Sequence, residues 1–206
     1  MTCGTKDLSL VAGTSFSLVL RWESAPILRK AITGLSVSTG APRITIASHG
    51  ILDGWRVAVT GSKGMTELNA EDPARLRDSD YHQATVIDAN VIELNEVNGA
   101  DFRPWTSGGV VQWNAPVSLS GFTGRLCVED RHGGTVLASN LVADAPLNLL
   151  DLLIDDTLKT ITLVFPSTAT TALAGKSGVW EVEMVSGDAT PVITQLLRGI
   201  ISVGKE

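Results

Sequence analysis

The side chains able to do chemistry are few and widely spaced. Three histidines occur, His49, His82 and His132, and none stands at the helical spacing that aims two imidazoles at one metal ion. His49 precedes Gly50 and His132 precedes Gly133, which places both in turns. Two cysteines, Cys3 and Cys127, allow at most one disulfide, and no Cys/His spacing marks a metal site. Both are expected to be reduced thiols. Asp78-Ser79-Asp80 and Asp155-Asp156 are the acidic pairs that a hydrolase or a calcium loop would use. Neither has the alternating ligands, central glycine and terminal glutamate of an EF-hand loop. Adjacent aspartates before a strand shape a turn with their side-chain oxygens. Gly175-Lys176-Ser177 imitates the end of a phosphate-binding loop, but the glycine required five positions earlier is Thr170. That segment also lies between a short helix and a strand, the wrong order for such a loop. No Gly-x-Ser-x-Gly elbow appears. With no nucleophile, base and orienter to assemble, the expectation is a protein that is not an enzyme, with no catalytic residue, cofactor or metal.

Five tryptophans remain: Trp22, Trp55, Trp105, Trp113 and Trp180. Trp22 and Trp180 share parity with apolar neighbours and belong to a core. Trp55 follows Asp53-Gly54 and Trp105 precedes Thr106-Ser107, turn residues that predict partial exposure. Exposed aromatics stack on sugars or anchor an interface; the competing reading has them cap the ends of a small barrel. Trp55 and Trp105, with Asp78 and Asp80 of the charged 70–80 segment, are therefore the candidate surface contacts.

The elements that must position these residues are strands. Phe16, Leu18, Leu20 and Trp22 alternate with Ser17, Arg21 and Glu23, the mark of a half-buried strand. The same period returns at Phe122, Leu126 and Val128, at Ile161, Leu163 and Phe165, at Trp180, Val182 and Met184, and from Val192 to Val203 around a break near Gly199. Arg131-His132-Gly133-Gly134 fits a tight hairpin turn. A second group of short strands is predicted at Arg43–Ala47, Arg56–Thr60, Thr85–Asp88, Val91–Leu94 and Gly109–Trp113, with an aperiodic surface loop over Asn69–Asp80. A helix is invited only over Ser167 to Leu173, as a capped turn or two, while Leu147 to Ile154 stays ambiguous. Pro26, the polar stretch Ser36–Pro42, and Asn114-Ala115-Pro116 look like joins. The expected fold is all-β: a discontinuous β-sandwich of residues 1–34 and 114–206, carrying an inserted small β-barrel-like domain over 35–113.

Composition narrows the partners. The chain has 206 residues, 44% of them apolar and 18% charged, which excludes a disordered tail or a coiled coil. A net charge of −6 and a pI near 5.0 leave no basic surface to neutralise phosphates, so neither nucleic acid nor an anionic membrane is expected as a partner. Leu8 to Leu20 is uncharged but shorter than a bilayer span and broken by Gly13, Thr14 and Ser15. The opening Met-Thr-Cys-Gly-Thr-Lys-Asp lacks the basic-then-apolar order of a signal peptide.

Residues 40–113 resemble the small β domain that recurs in bacteriophage tail and tail-fibre proteins and is similar to the FCCH domain of ubiquitin-activating enzymes. The matching stretches are Ser48-His49-Gly50, Asp53-Gly54-Trp55-Arg56-Val57, Gly64-Met65-Thr66-Glu67-Leu68-Asn69, Thr85-Val86-Ile87-Asp88, Ile92-Glu93-Leu94 and Trp105-Thr106-Ser107-Gly108-Gly109. The charged segment Ala70 to Asp80 is longer than that pattern usually carries. The flanks resemble a β domain common in phage tail and baseplate proteins, through Asp7-Leu8-Ser9-Leu10, Phe16-Ser17-Leu18, Val117 to Leu126, Thr160-Ile161-Thr162-Leu163 and Trp180-Glu181-Val182-Glu183. The resemblance implies a structural virion component of the tail or baseplate, folded in the host cytoplasm and without catalysis. It implies other virion proteins as partners (tail tube, baseplate or fibre subunits) and homo-oligomerisation in the assembly. Two further expectations stand beside it: a receptor- or glycan-binding module of the tail, and a head or neck accessory (decoration) protein.

Overall fold

A computed structural model describes residues 4–205; Cys3 lies outside the described residues. The fold is all-β: strands carry 51% of the chain, with a single short α-helix among the described residues. The chain opens with β1 (Gly4–Thr5), β2 (Leu8–Val11) and β3 (Phe16–Arg21). It continues through β4 (Glu23–Ala31), β5 (Gly34–Ser38), β6 (Ala41–Thr45), β7 (Arg56–Lys63), β8 (Tyr81–Gln83), β9 (Thr85–Asp88), β10 (Val91–Glu93) and β11 (Ser107–Pro116). It closes with β12 (Thr123–Glu129), β13 (Val136–Ser139), β14 (Asp151–Asp155), β15 (Thr160–Phe165), α1 (Ser167–Ala172), β16 (Ser177–Val185) and β17 (Ile193–Gly204).

These elements form two compact units, residues 23–116 and the two flanks together. The expected first joint at residue 34 is corrected: residues 23–34 belong to the inserted unit, and the passages occur at Trp22/Glu23 and Pro116/Val117. Neither Pro26 nor Ser36–Pro42 is a join. Pro26 lies in β4, an edge strand, where the ladder to β11 skips between Ile27↔Asn114 and Ser24↔Ala115. Such a bulge on an edge is where a residue without an N–H fits a sheet. Ser36–Pro42 spans the β5–β6 hairpin, which turns at Thr39 and Gly40.

The flanking unit has a sheet in the order β1-β17-β16-β12-β13, with β2 also on β17, and a three-stranded sheet β14-β15-β3. Alternation builds its core. Ile161, Leu163 and Phe165 point inward from β15, Trp180, Val182 and Met184 from β16, and Leu126 and Val128 from β12, all buried in one cluster. Each such side chain contributes about 1.5–3 kcal/mol on leaving water. The Phe16 and Phe165 rings, paired in register, lie 6.1 Å apart at a tilt, a favourable aromatic geometry. The predicted helix is α1, and its first turn is satisfied from outside: the Ser167 N–H donates to Ser15 Oγ at 3.2 Å. The ambiguous Leu147–Ile154 stretch becomes β14 from Asp151 onward.

The inserted unit packs two four-stranded sheets, β5-β6-β10-β9 and β4-β11-β7-β8, over one core of Ile44, Ile46, Trp55, Val57, Val59, Ile92, Leu94, Val111 and Trp113. Its Asn69–Asp80 segment is an extended loop held at both ends. Asn69 bonds the Ser62 N–H and C=O at 2.9 Å each, and Asp80 accepts from the Arg77 N–H at 2.7 Å.

Candidate functional site

The four expected surface contacts separate. Trp55 is 1% exposed and sits in the inserted unit's core, so it is no surface contact. The turn ahead of it does not expose the ring: it fixes the backbone, through Trp55 N–H to Leu52 C=O at 3.2 Å and Ala84 N–H to Trp55 C=O at 2.8 Å, and the ring packs in the core. Trp105 is half-buried against the same core, and its indole N–H donates to the Gly108 carbonyl at 3.0 Å. Asp78 is exposed, and its carboxylate meets Arg56 Nη1 at 3.0 Å. Asp80 is half-buried and acts within its own loop. Trp105, Asp78 and Asp80 lie toward the inserted unit's surface and Trp55 in its core, so the four do not converge on one site.

The other singled-out groups fall as turn builders. His49 is buried: its Nδ1 accepts from the Ile51 N–H at 2.9 Å, which leaves Nε2 to donate to the Asp88 carbonyl at 2.8 Å. One neutral tautomer satisfies both bonds. His82 is half-buried on β8, and burial lowers its imidazole pKa. Asp155 accepts from the N–H groups of Thr157 and Leu158, and Asp156 from Leu119 N–H at 2.5 Å and Lys159 Nζ at 2.6 Å. Gly175-Lys176-Ser177 is the turn from α1 into β16, closed by Gly175 N–H to the Val203 carbonyl at 2.8 Å.

A convergence that spacing did not expose lies on the outer face of the larger sheet in the flanking unit. Leu126 and Val128 face the core from β12, so Arg125, Cys127 and Glu129 face the other way; Glu181 and Glu183 do the same on β16. The ladder sets Cys127 opposite Glu181, with Glu129 one diagonal step away. The hairpin after β12 brings His132 over them. Gly133 takes φ +67° in that turn, a region costly for side-chain residues, and its N–H donates to Glu129 Oε2 at 2.7 Å. At Gly178 a Cβ would stand 2.2 Å from the Glu129 carbonyl oxygen, so glycine is what lets β16 approach here. One ligand-type atom from each of Glu129, His132 and Glu181 lies within 4.8 Å of the other two. Both carboxylates are buried, at 8% and 7% exposure, and His132 is exposed. Cys127, fully buried beside them, is a free thiol whose pKa burial pushes up to about 12, so it stays protonated and inert. The sequence offered one clue, Glu129 and His132 three apart at a hairpin; Glu181 arrives only through strand pairing.

The outer face of the three-stranded sheet is of another kind. Val19, Thr162 and Leu153 form one row across β3, β15 and β14, with Val19 and Leu153 exposed at 45% and 59%. The row Ser17, Val164, Asp151 flanks it on one side and Arg21, Thr160, Asp155 on the other. β14 and β3 are both edges. Comparison of the chain with models of known protein families and with curated proteins finds no match.

Proposed function

We propose that the chain is a structural subunit of a bacteriophage virion, at the tail or baseplate, that docks neighbouring subunits or fibres and performs no catalysis. The observation that supports this best is the Val19-Thr162-Leu153 row between two open strand edges. Two exposed apolar side chains, Val19 and Leu153, on a sheet whose two outer strands each leave one edge unpaired invite association through those edges, and a subunit that completes its surface in an assembly has that covering. The motif resemblances in both parts of the chain supply the kind of assembly. The glycan-binding alternative loses Trp55, which is core, and keeps only the half-buried Trp105, whose indole N–H bonds the Gly108 carbonyl.

The test is mass in solution by light scattering, for the purified chain alone and mixed with phage tail and baseplate subunits. The expected result is a homo-oligomer or a firm co-complex that Val19→Lys with Leu153→Lys dissolves. A chain that stays monomeric and binds no tail component overturns the proposal.

A further inference from the structure

Nine ion pairs join described residues, and six close to 3.0 Å or less. The three that stay open, at 3.6–3.8 Å, all surround the outer-face cluster: Arg125 to Glu129, Arg125 to Glu183, and His132 to Glu181. Glu129 and Glu181 are nevertheless among the most buried charged side chains. Like charges that close on adjacent strands repel, and buried carboxylates without a tight counter-charge are costly. Three carboxylates here face one guanidinium. Arg198, opposite Glu181 on β17, is exposed and forms no ion pair with it among the described residues. The cluster is short of positive charge at its buried centre.

We propose that Glu129, Glu181 and His132 form a site for one divalent transition-metal ion, of the zinc class, that clamps the β12–β13 hairpin to β16. Ligand atoms bound to one ion at about 2.1 Å sit roughly 3–3.5 Å apart; His132 Nδ1 and Glu181 Oε2 are 3.6 Å apart, and the three ligand atoms lie within 4.8 Å of one another, so the set draws in on binding. Each carboxylate is already oriented by a donor that is not a ligand: Gln195 Nε2 to Glu181 Oε2 at 2.8 Å, and the Gly133 N–H to Glu129 Oε2 at 2.7 Å. Such outer partners fix ligand direction in metal sites. An imidazole with two carboxylates selects a transition ion over magnesium or calcium, which prefer all-oxygen shells. Entry is open, because His132 is exposed and borders a cleft of about 330 Å³ lined also by Thr5, Asp7, Val179, Arg198 and Ile200.

The experiment is calorimetric titration of the full chain with Zn²⁺ in chelator-stripped buffer, in a Cys3→Ser background that removes a competing thiol. One equivalent is expected to bind, and His132→Ala and Glu129→Gln are each expected to weaken binding tenfold or more. Zn²⁺ is expected to raise the thermal midpoint of the parent chain and not that of His132→Ala. His132 is exposed, so its replacement leaves the fold intact, and a circular dichroism spectrum like the parent's checks both variants. An unchanged isotherm in His132→Ala overturns the proposal. So does loss in His132→Ala with full binding in Glu129→Gln and Glu181→Gln, which marks a lone surface imidazole, or Mg²⁺ binding as tightly as Zn²⁺.

Discussion

The two units treat their charges differently. In the inserted unit carboxylates meet cations closely. Glu23 accepts Arg56 Nε with both oxygens, at 2.8 and 3.1 Å, and Asn114 Nδ2 at 3.0 Å; Arg103 Nε meets Glu67 at 2.9 Å; and Arg43 pairs with Glu93. Gln112 links Arg29 to Thr60, accepting at 2.7 Å and donating at 2.9 Å. In the flanking unit, Lys159–Asp156 is the one tight pair among the described residues; around Glu129 and Glu181 the charges stand apart, and on the other sheet an apolar row faces outward. The contrast teaches where each unit's bonding is finished. The inserted unit holds its charged side chains in close pairs, although the buried Ser62 Oγ lacks a partner among the described residues, whereas the flanking unit leaves the charges around Glu129 and Glu181 apart.

The largest effect that bears on this contrast is loss of a core tryptophan. Trp180→Ala removes a fully buried ring and its N–H bond to the Lys6 carbonyl at 2.9 Å, and is expected to cost about 3–5 kcal/mol. Trp55→Ala is expected to cost as much in the inserted unit. Urea unfolding followed by hydrogen exchange checks that each substitution lowers protection in its own unit; equal loss across both would break the division.

Next comes the tight pair against the open one. Glu23→Ala strands the Arg56 and Asn114 donors and is expected to cost about 1–3 kcal/mol, reduced from a fully buried case because Arg56 is partly solvated. Glu183→Ala, at 3.8 Å from Arg125, is expected to cost below about 1 kcal/mol. Chemical denaturation of the two variants measures the difference, and equal costs would erase the contrast.

The smallest effect is acid sensitivity. Lys159, then the Leu119 N–H, hold the Asp156 carboxyl below the usual carboxylate range. The folded carboxyl is thus the stronger acid, so its contribution is complete above the unfolded value near pH 4 and fades as pH falls through the lower folded value. A stability–pH curve for Asp156→Asn is expected to be flatter below about pH 4 than the parent's; identical acid limbs would remove Asp156 from the account.

Legibility in the sequence followed the same divide between local and distant causes. Strands buried on one face announce themselves by period two, as β3, β12, β15 and β16 do. β4 does not, because most of its residues are exposed and its bulge at Pro26 breaks the ladder, so Glu23–Ala31 carries no alternation to read. Trp55 misled because a turn beside an aromatic fixes a chain direction, not the side on which the ring ends up. Glu129 and Glu181 stand on the opposite parity to the core residues of their strands, which by itself does not mark them as buried. Their meeting depends on the register Cys127↔Glu181, a fact about pairing that neither segment contains.

The parallel seating of β2 on β17 bears on the order of synthesis. Asp7 bonds the Ile200 N–H across 193 positions of sequence, and Leu8 to Val11 pair with Ile201 to Gly204. A ribosome releases residues 23–116 long before β16 and β17 exist. The inserted unit therefore has all its strands in hand first and is expected to fold ahead of the flanking unit, whose residues 4–22 lack their β17 partner until synthesis is nearly complete. The time to translate residues 117–204 is then the least time for which β2 lacks that partner.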